Sequence, residues 1–363
     1  MASNYSRIHP RQLALPPACG VAGRSRRTIR NMGVCVLVLT CGVALGADVA
    51  RWFEGGQRPL VVGAMPPGLG RDPETCAPCH AEIVAEWRGS LHAAAWTEPV
   101  FQAAYTREPL SFCRNCHAPH NGGAEPRGLA ARDGISCVTC HVRNGHILGS
   151  TGAGPHMVRA GVTDDPMFCA SCHEFGFHDG GVETAELQQS TMSEWRARIA
   201  DGRTTETCQG CHMKNVAGHK SHAFAVRRDP SVIAGALDVD VRIEGTALVA
   251  TVTSKGVGHA VPTGDLFRRL ELHAESGARK DVLIYARTFG DRTVAGRHER
   301  YERDDTRVGE GPATRRLELG LATGDVVRWR LDYLLMPTSE ARRNNVADHV
   351  NRTRLHDGVL IAP

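Results

Sequence analysis

The pattern Cys-x-x-Cys-His occurs five times: Cys76-Ala77-Pro78-Cys79-His80, Cys113-Arg114-Asn115-Cys116-His117, Cys137-Val138-Thr139-Cys140-His141, Cys169-Ala170-Ser171-Cys172-His173 and Cys208-Gln209-Gly210-Cys211-His212. Thiols three residues apart lie on one face of a helical turn, and the imidazole that follows projects beside them. That order suits covalent haem attachment: the sulfurs add to the two vinyl groups of one porphyrin, and the histidine ligates its iron. Zinc ribbons and dithiol redox sites also use Cys-x-x-Cys pairs. Neither calls for a histidine after the second cysteine every time. The spacing therefore implies five c-type haems, on Cys76 and Cys79, Cys113 and Cys116, Cys137 and Cys140, Cys169 and Cys172, and Cys208 and Cys211. Their proximal ligands are His80, His117, His141, His173 and His212. The other three cysteines, Cys19, Cys35 and Cys41, all precede the first motif.

A haem iron with a second axial ligand carries electrons, and one with an open side can catalyse. The distal candidates are His92, His120, His156, His222 and His259, enough to close all five irons. His92 is expected on a helix over 81–96, where Ile83, Trp87 and Leu91 fall at helical spacing. His120, three residues after His117, cannot reach the far side of the same iron and would serve another haem. His156 follows a Gly-rich loop, and His222 ends His219-Lys220-Ser221-His222. His259, in Gly256-Val257-Gly258-His259-Ala260-Val261-Pro262-Thr263-Gly264, interrupts a strand pattern. It either reaches back to a haem or packs as a turn histidine. His146, His178 and His219 are reserves. A short echo, Glu86-Trp87-Arg88 and Glu194-Trp195-Arg196, follows the first and fourth motifs, with Ala200 at the place of His92. Relationship and coincidence are equally open.

The elements that position these groups form two textures. Residues 71–229 are rich in Cys, His and Gly and poor in strand pattern. About 30 residues per haem cannot build an apolar core, so porphyrins must fill it. After Pro230 the sequence alternates: Leu237, Val239, Val241 and Ile243 against Asp238, Asp240, Arg242 and Glu244, returning after Gly245 as Leu248 to Thr253. Val327 to Tyr333 alternates likewise, and Leu270 to Leu272 and Val282 to Ala286 supply further strands. The fold class expected is α+β and multidomain, a mostly helical, haem-packed cytochrome domain over 71–229 followed by an antiparallel β-sandwich over 230–363. Residues 51–70 read as a linker. Residues 1–50 combine Arg24, Arg26, Arg27 and Arg30 with an uncharged run from Met32 to Ala47, a signal peptide or N-terminal anchor. The run is short for a span of about twenty residues, which favours cleavage and a periplasmic or exported protein. Anchoring would associate the chain with a membrane.

Of the 43 Lys and Arg, six lie in residues 1–50, against one of the 39 Asp and Glu, leaving 37 basic and 38 acidic residues beyond them. Haem propionates would make the remainder anionic, and nothing points to nucleic acid.

The five motifs, Trp87 with Ser90-Leu91-His92-Ala93, and Cys211-His212-Met213 with Ser221-His222-Ala223-Phe224 resemble the multihaem c-type cytochrome superfamily of hydroxylamine oxidoreductase, pentahaem nitrite reductase and the nitrifiers' tetrahaem cytochrome. The resemblance spans roughly residues 71–229, and the Gly-His-Ala-Val-Pro-Thr-Gly segment resembles one in appended β domains. It implies His92 and His222 as distal ligands, haems in near-contact pairs and an exported redox role. The chain lacks the Cys-x-x-Cys-Lys motif of the nitrite reductases, and Tyr105 is the only tyrosine in the haem region. The expectation is an electron carrier between redox partner proteins. The alternative is a reductase of a small nitrogen or sulfur oxyanion with one open iron.

Overall fold

The computed structural model describes residues 62–121, 124–149, 158–160, 163–179, 182–227 and 229–363. The expected leader over 1–50, most of the expected linker over 51–70, and His156 lie outside them. The described residues form one compact unit, within which both textures occur. Among the described residues no helix is long and apolar enough to cross a membrane.

The first part is built from short helices: α1 (Ala77–Arg88), α2 (Pro99–Arg107), α3 (Cys113–His117), α4 (Leu129–Asp133), α5 (Cys137–His141), α6 (Met167–His173), α7 (Thr191–Ala200) and α8 (Cys208–His212). Capping explains several boundaries. Pro99 opens α2 after Glu98, whose carboxylate accepts from the Phe101 N–H, the proline and N-cap arrangement that favours a helix start. α1 ends earlier than its periodicity suggests. The Gly89 N–H bonds back to the last turn, and fully buried Ser90 starts a turn in which its Oγ accepts from the Ala93 N–H. His92 therefore sits in a turn beyond the helix, not on it. The region also carries more strand than its sequence suggests. A hairpin of β1 (Glu174–Asp179) and β2 (Val182–Ser190) joins α6 to α7.

Beyond Pro230, alternation becomes two antiparallel sheets. The strands are β3 (Leu237–Glu244), β4 (Ala247–Ser254), β5 (Arg269–Ser276), β6 (Arg279–Val294), β7 (Arg297–Asp305), β8 (Ala313–Glu318), β9 (Val326–Leu334) and β10 (Arg352–Ile361). One sheet orders them β7-β6-β5-β9-β10 and the other β8-β4-β3. Gly245, at φ +62, turns β3 into β4, with Glu244 facing Ala247. Leu248, Ala250 and Val252 from one sheet meet Leu270, Leu272, Tyr285, Val327 and Leu331 from the other, all 0% exposed, in a single apolar cluster. At about 25 cal/mol per Å², this burial is the region's main stabilisation.

Several contacts join the two parts. Val100 of α2 packs with Leu335, Met336 and Ala341. Buried Arg287 of β6 donates from Nη2 to the Leu187 carbonyl at 2.8 Å and pairs with Glu302 at 2.6 Å.

Candidate haem-binding site

Each motif folds as one helical turn. α3, α5, α6 and α8 end on their motif histidines, and the residue after each leaves helical geometry. In the first motif, Cys76 caps α1 and His80 adopts a non-helical φ of −126° and ψ of 39°. The turn holds both thiols together, and the break after it lets the imidazole swing away from the helix axis. Thiols of different motifs lie beside one another: Cys76 with Cys137, Cys116 with Cys172, and Cys169 with Cys208. The first motif thus neighbours the third, and the fourth neighbours the second and fifth.

Three motif histidines face a histidine distant in sequence. His173 lies 6.3 Å from His92 between ring centroids, His141 lies 6.0 Å from His222, and His212 lies 6.2 Å from His259, the last pair with an 8° interplanar angle. Two imidazoles on opposite sides of one metal, each with a metal–nitrogen bond of about 2.0 Å, have centroids about 6 Å apart. In three of these six rings, and in His117 of the second motif, the other ring nitrogen is also held. Nδ1–H donates to a backbone carbonyl in His117 (Ala95, 2.7 Å), His141 (Leu148, 2.8 Å), His222 (Lys220, 2.7 Å) and His259 (Ala260, 2.9 Å). That bond fixes the tautomer and leaves the Nε2 lone pair free for a metal. The side chains therefore fit haem iron.

Burial keeps these rings neutral, the form that binds metal. It depresses His92 to about 3, aided by the positive charge His173, His212 and His222 would carry, and His212 to about 4. Burial likewise lowers His117, His141, His173, His222 and His259.

The other candidates differ. His120 Nε2 lies 2.8 Å from Ser136 Oγ and 2.6 Å from Thr139 Oγ1, while its buried Nδ1 has no hydrogen-bond partner among the described residues. His219 Nε2 bonds Glu86 at 3.2 Å. His117 stacks on Phe101 at 3.6 Å and 7°. His146 pairs with Arg143 across two short strands.

Sequence reasoning gave no role to the residues that hold these rings. Phe224, at φ +45, meets His92 at 4.3 Å and His222 at 6.3 Å, edge to face with both. A bulky residue rarely adopts that φ, and here it seats one ring against two imidazoles. Gly134 serves the His92 turn: a Cβ there would meet the His92 carbonyl oxygen at 2.7 Å, and the adjacent Ile135 N–H donates to that carbonyl. Arg307, 6% exposed in its side chain, bridges Glu194 and Asp305 at 2.7 Å each, beside the His259 loop. The unusual φ of Phe224 and the distant Arg307 left no trace in spacing.

Residues 75–142 match the family described as cytochrome c554 and c-prime. They hold the first three motifs. The fold is similar to the crystal structure of a penta-heme cytochrome c552 from Thermochromatium tepidum, with a TM-score of 0.62 and 18% identity over 80% of this chain and 98% of that one. A comparison with curated proteins gave no match. The matched segment supports haem c attachment at the first three motifs, and the second likeness is one of fold, shared with a multihaem cytochrome.

Proposed function

We propose that the chain is an exported pentahaem c-type cytochrome relaying single electrons between redox partner proteins. The observation that carries this reading is the three imidazole pairs at 6.0–6.3 Å, each joining a motif histidine to a histidine from elsewhere in the chain. In it, His92, His222 and His259 are the distal partners of His173, His141 and His212. His120 presents Nδ1 to a fourth iron, and His156 completes the set. Haem supplies one-electron storage, and the chain supplies covalent anchorage, ligand tautomers and spacing. The contacts among thiols of different motifs favour haems close enough for transfer from one to the next.

Residues 230–363 are read as a β-sandwich module that lends His259 to the redox unit. Export rests on the leader read from residues 1–50, which would associate the protein with a membrane if uncleaved.

Intact-mass measurement of protein matured in an exporting host should show five haem increments, and EPR of the oxidised protein should show low-spin irons. His92→Ala, His222→Ala and His259→Ala should each convert one haem to high spin. Fewer than five increments, or bound zinc, would sink the reading. A high-spin iron in the unaltered protein, together with steady-state reduction of nitrite or hydroxylamine, would favour the reductase.

A further inference from the structure

The repeated Glu-Trp-Arg segment is used in the same way both times. In the first copy, Trp87 donates its indole N–H to the Ile135 carbonyl at 2.8 Å, two residues ahead of Cys137. In the second, Trp195 donates to the Glu206 carbonyl at 2.9 Å, two residues ahead of Cys208. The neighbouring carboxylates reach the opposite ligand of the same two sites. Glu86 Oε2 accepts the backbone N–H of His222 at 2.8 Å, and its Oε1 lies 3.2 Å from His219 Nε2. Glu194 Oε2 accepts the backbone N–H of Ala260, next to His259, at 3.1 Å and the Thr263 hydroxyl at 2.8 Å.

We propose that each segment is a clamp for one haem site: Trp87 and Glu86 hold both ends of the His141–His222 pair, and Trp195 and Glu194 hold both ends of the His212–His259 pair. Glu86 and Glu194 are positioning residues. They touch no ligand nitrogen of the pair and act through the backbone of the distal loop. The inference rests on the reading that these imidazole pairs bind iron.

The physical case has three parts. The distal loops, His219 to Phe224 and Gly258 to Thr263, are connecting segments, and a ligand on such a segment stays on its iron only if the backbone is fixed. A carboxylate accepting two bonds fixes it more firmly than a neutral acceptor, because charge-assisted bonds are roughly twice as strong. The second clamp is also anchored from the β region. Arg307 bonds Glu194 at 2.7 Å and the Pro262 carbonyl at 3.3 Å. The packing at Gly258 is tight: a Cβ there would meet Trp195 Cδ1 at 3.3 Å, and the two would have to separate by a few tenths of an ångström. In the first clamp Glu86 is held by His219 and Ser221.

Matured full-length protein tests this by carbon monoxide uptake of the reduced form, EPR of the oxidised form and a potentiometric titration. Glu86→Ala should raise high-spin content and CO uptake by up to one haem equivalent, with the signature of His222→Ala. Glu194→Ala should do so with the signature of His259→Ala. Non-additivity identifies the site: Glu86→Ala adds nothing to His222→Ala but adds fully to His259→Ala, and Glu194→Ala does the reverse. Glu86→Gln and Glu194→Gln keep one acceptor oxygen and the side-chain shape. They should restore low spin while raising the potential of the one clamped haem, because a negative charge beside it is gone; they also keep the test alive if the alanine variants fail to mature.

Unchanged spectra and potentials in all four glutamate variants would overturn the clamp, as would equal perturbation of every haem. If His222→Ala and His259→Ala themselves leave every iron low-spin, the ligand reading falls first and takes the clamp with it.

Discussion

Residues 237–361 close around one large, mostly aliphatic cluster, whereas residues 62–227 have only small apolar groupings, with half-buried or exposed imidazoles and thiols set between them. In the first, leucines and valines of two sheets interlock in one cluster with Leu248, Leu270, Leu272 and Leu331 wholly buried. In the second, the apolar groupings are small: Val62, Val138 and Val142 in one place, Trp96, Tyr105 and Ala118 in another. Rings with centroids 6.0–6.3 Å apart are too far apart to be in face-to-face contact, and that separation fits one metal between them. One region can stabilise itself by burying carbon. In the proposed reading the other has its ligands arranged around haem, a cofactor that would supply the missing burial.

The largest effect follows from withholding that cofactor. Protein made without haem attachment should lose protected structure around all five motifs, since ligand binding there is folding free energy. The amides of β4, β5 and β9 should stay protected. Hydrogen exchange read by mass spectrometry separates the two, and simultaneous loss of both would break the comparison.

Next comes the aliphatic core. Leu272→Ala should cost about 3 kcal/mol, the middle of the range for a buried leucine. The haem spectrum should stay unchanged below the melting transition. A lost low-spin signal at room temperature would show that the β region tunes the haem sites more directly than packing suggests.

The strands of that core were the legible part of the fold. Leu237 to Ile243 has one face in the cluster and one in solvent, and Val327 to Tyr333 has one face in the cluster and Arg328, Arg330 and buried Asp332 on the other, so alternation wrote both into the sequence. β7, from Arg297 to Asp305, is charged almost throughout and gave no such signal, because it lies at the edge of its sheet beside the far end of β6. At the site, Cys-x-x-Cys-His declares attachment because the two thiols and the imidazole are local. Which histidine faces which depends on loops that bring residue 92 to 173, 141 to 222 and 212 to 259, and no local spacing encodes those meetings. His92 shows the limit within one element: periodicity carried a helix through it, and Gly89 with buried Ser90 stopped the helix first.

A moderate effect comes from charge buried under the strands. Asp332 has no exposed side-chain surface and pairs with Arg330, Arg352 and Arg354 at 2.6–3.2 Å. Burial raises its carboxyl, but the bonds and charges of Arg354 and Arg352 outweigh this and hold it below its usual value. A depressed carboxyl stabilises the fold above its unfolded value, about 3.9, and that contribution is lost as pH falls through the folded value. Asp332→Ala should cost about 2–3 kcal/mol at neutral pH, the lower end for breaking a buried pair because Arg354 is half exposed. Thermal melts from pH 7 to pH 2 should show the difference between variant and parent shrinking at the acid end. A constant difference would mean the carboxylate charge contributes nothing.

The smallest effect compares two glycines with positive φ, Gly245 at +62 and Gly134 at +52. A Cβ on Gly245 would meet nothing within 4 Å, so Gly245→Ala should cost only backbone strain, about 1 kcal/mol. Gly134 combines its φ with ψ −112, and a Cβ there would strike the backbone of the His92 turn at His92 O, Ala93 O and Ala95 N, 2.7–3.0 Å away. That turn cannot yield by rotating a side chain, so Gly134→Ala must displace the chain carrying His92. It should therefore weaken the His92–His173 pair and raise the high-spin fraction of that haem, whereas Gly245→Ala lowers the melting temperature slightly and leaves every spectrum alone. Paired EPR and melting measurements decide. If both variants only lower the melting temperature, the two regions respond alike to backbone strain, and the haem ligands are less tightly tied to the polypeptide than the contact at Gly134 implies.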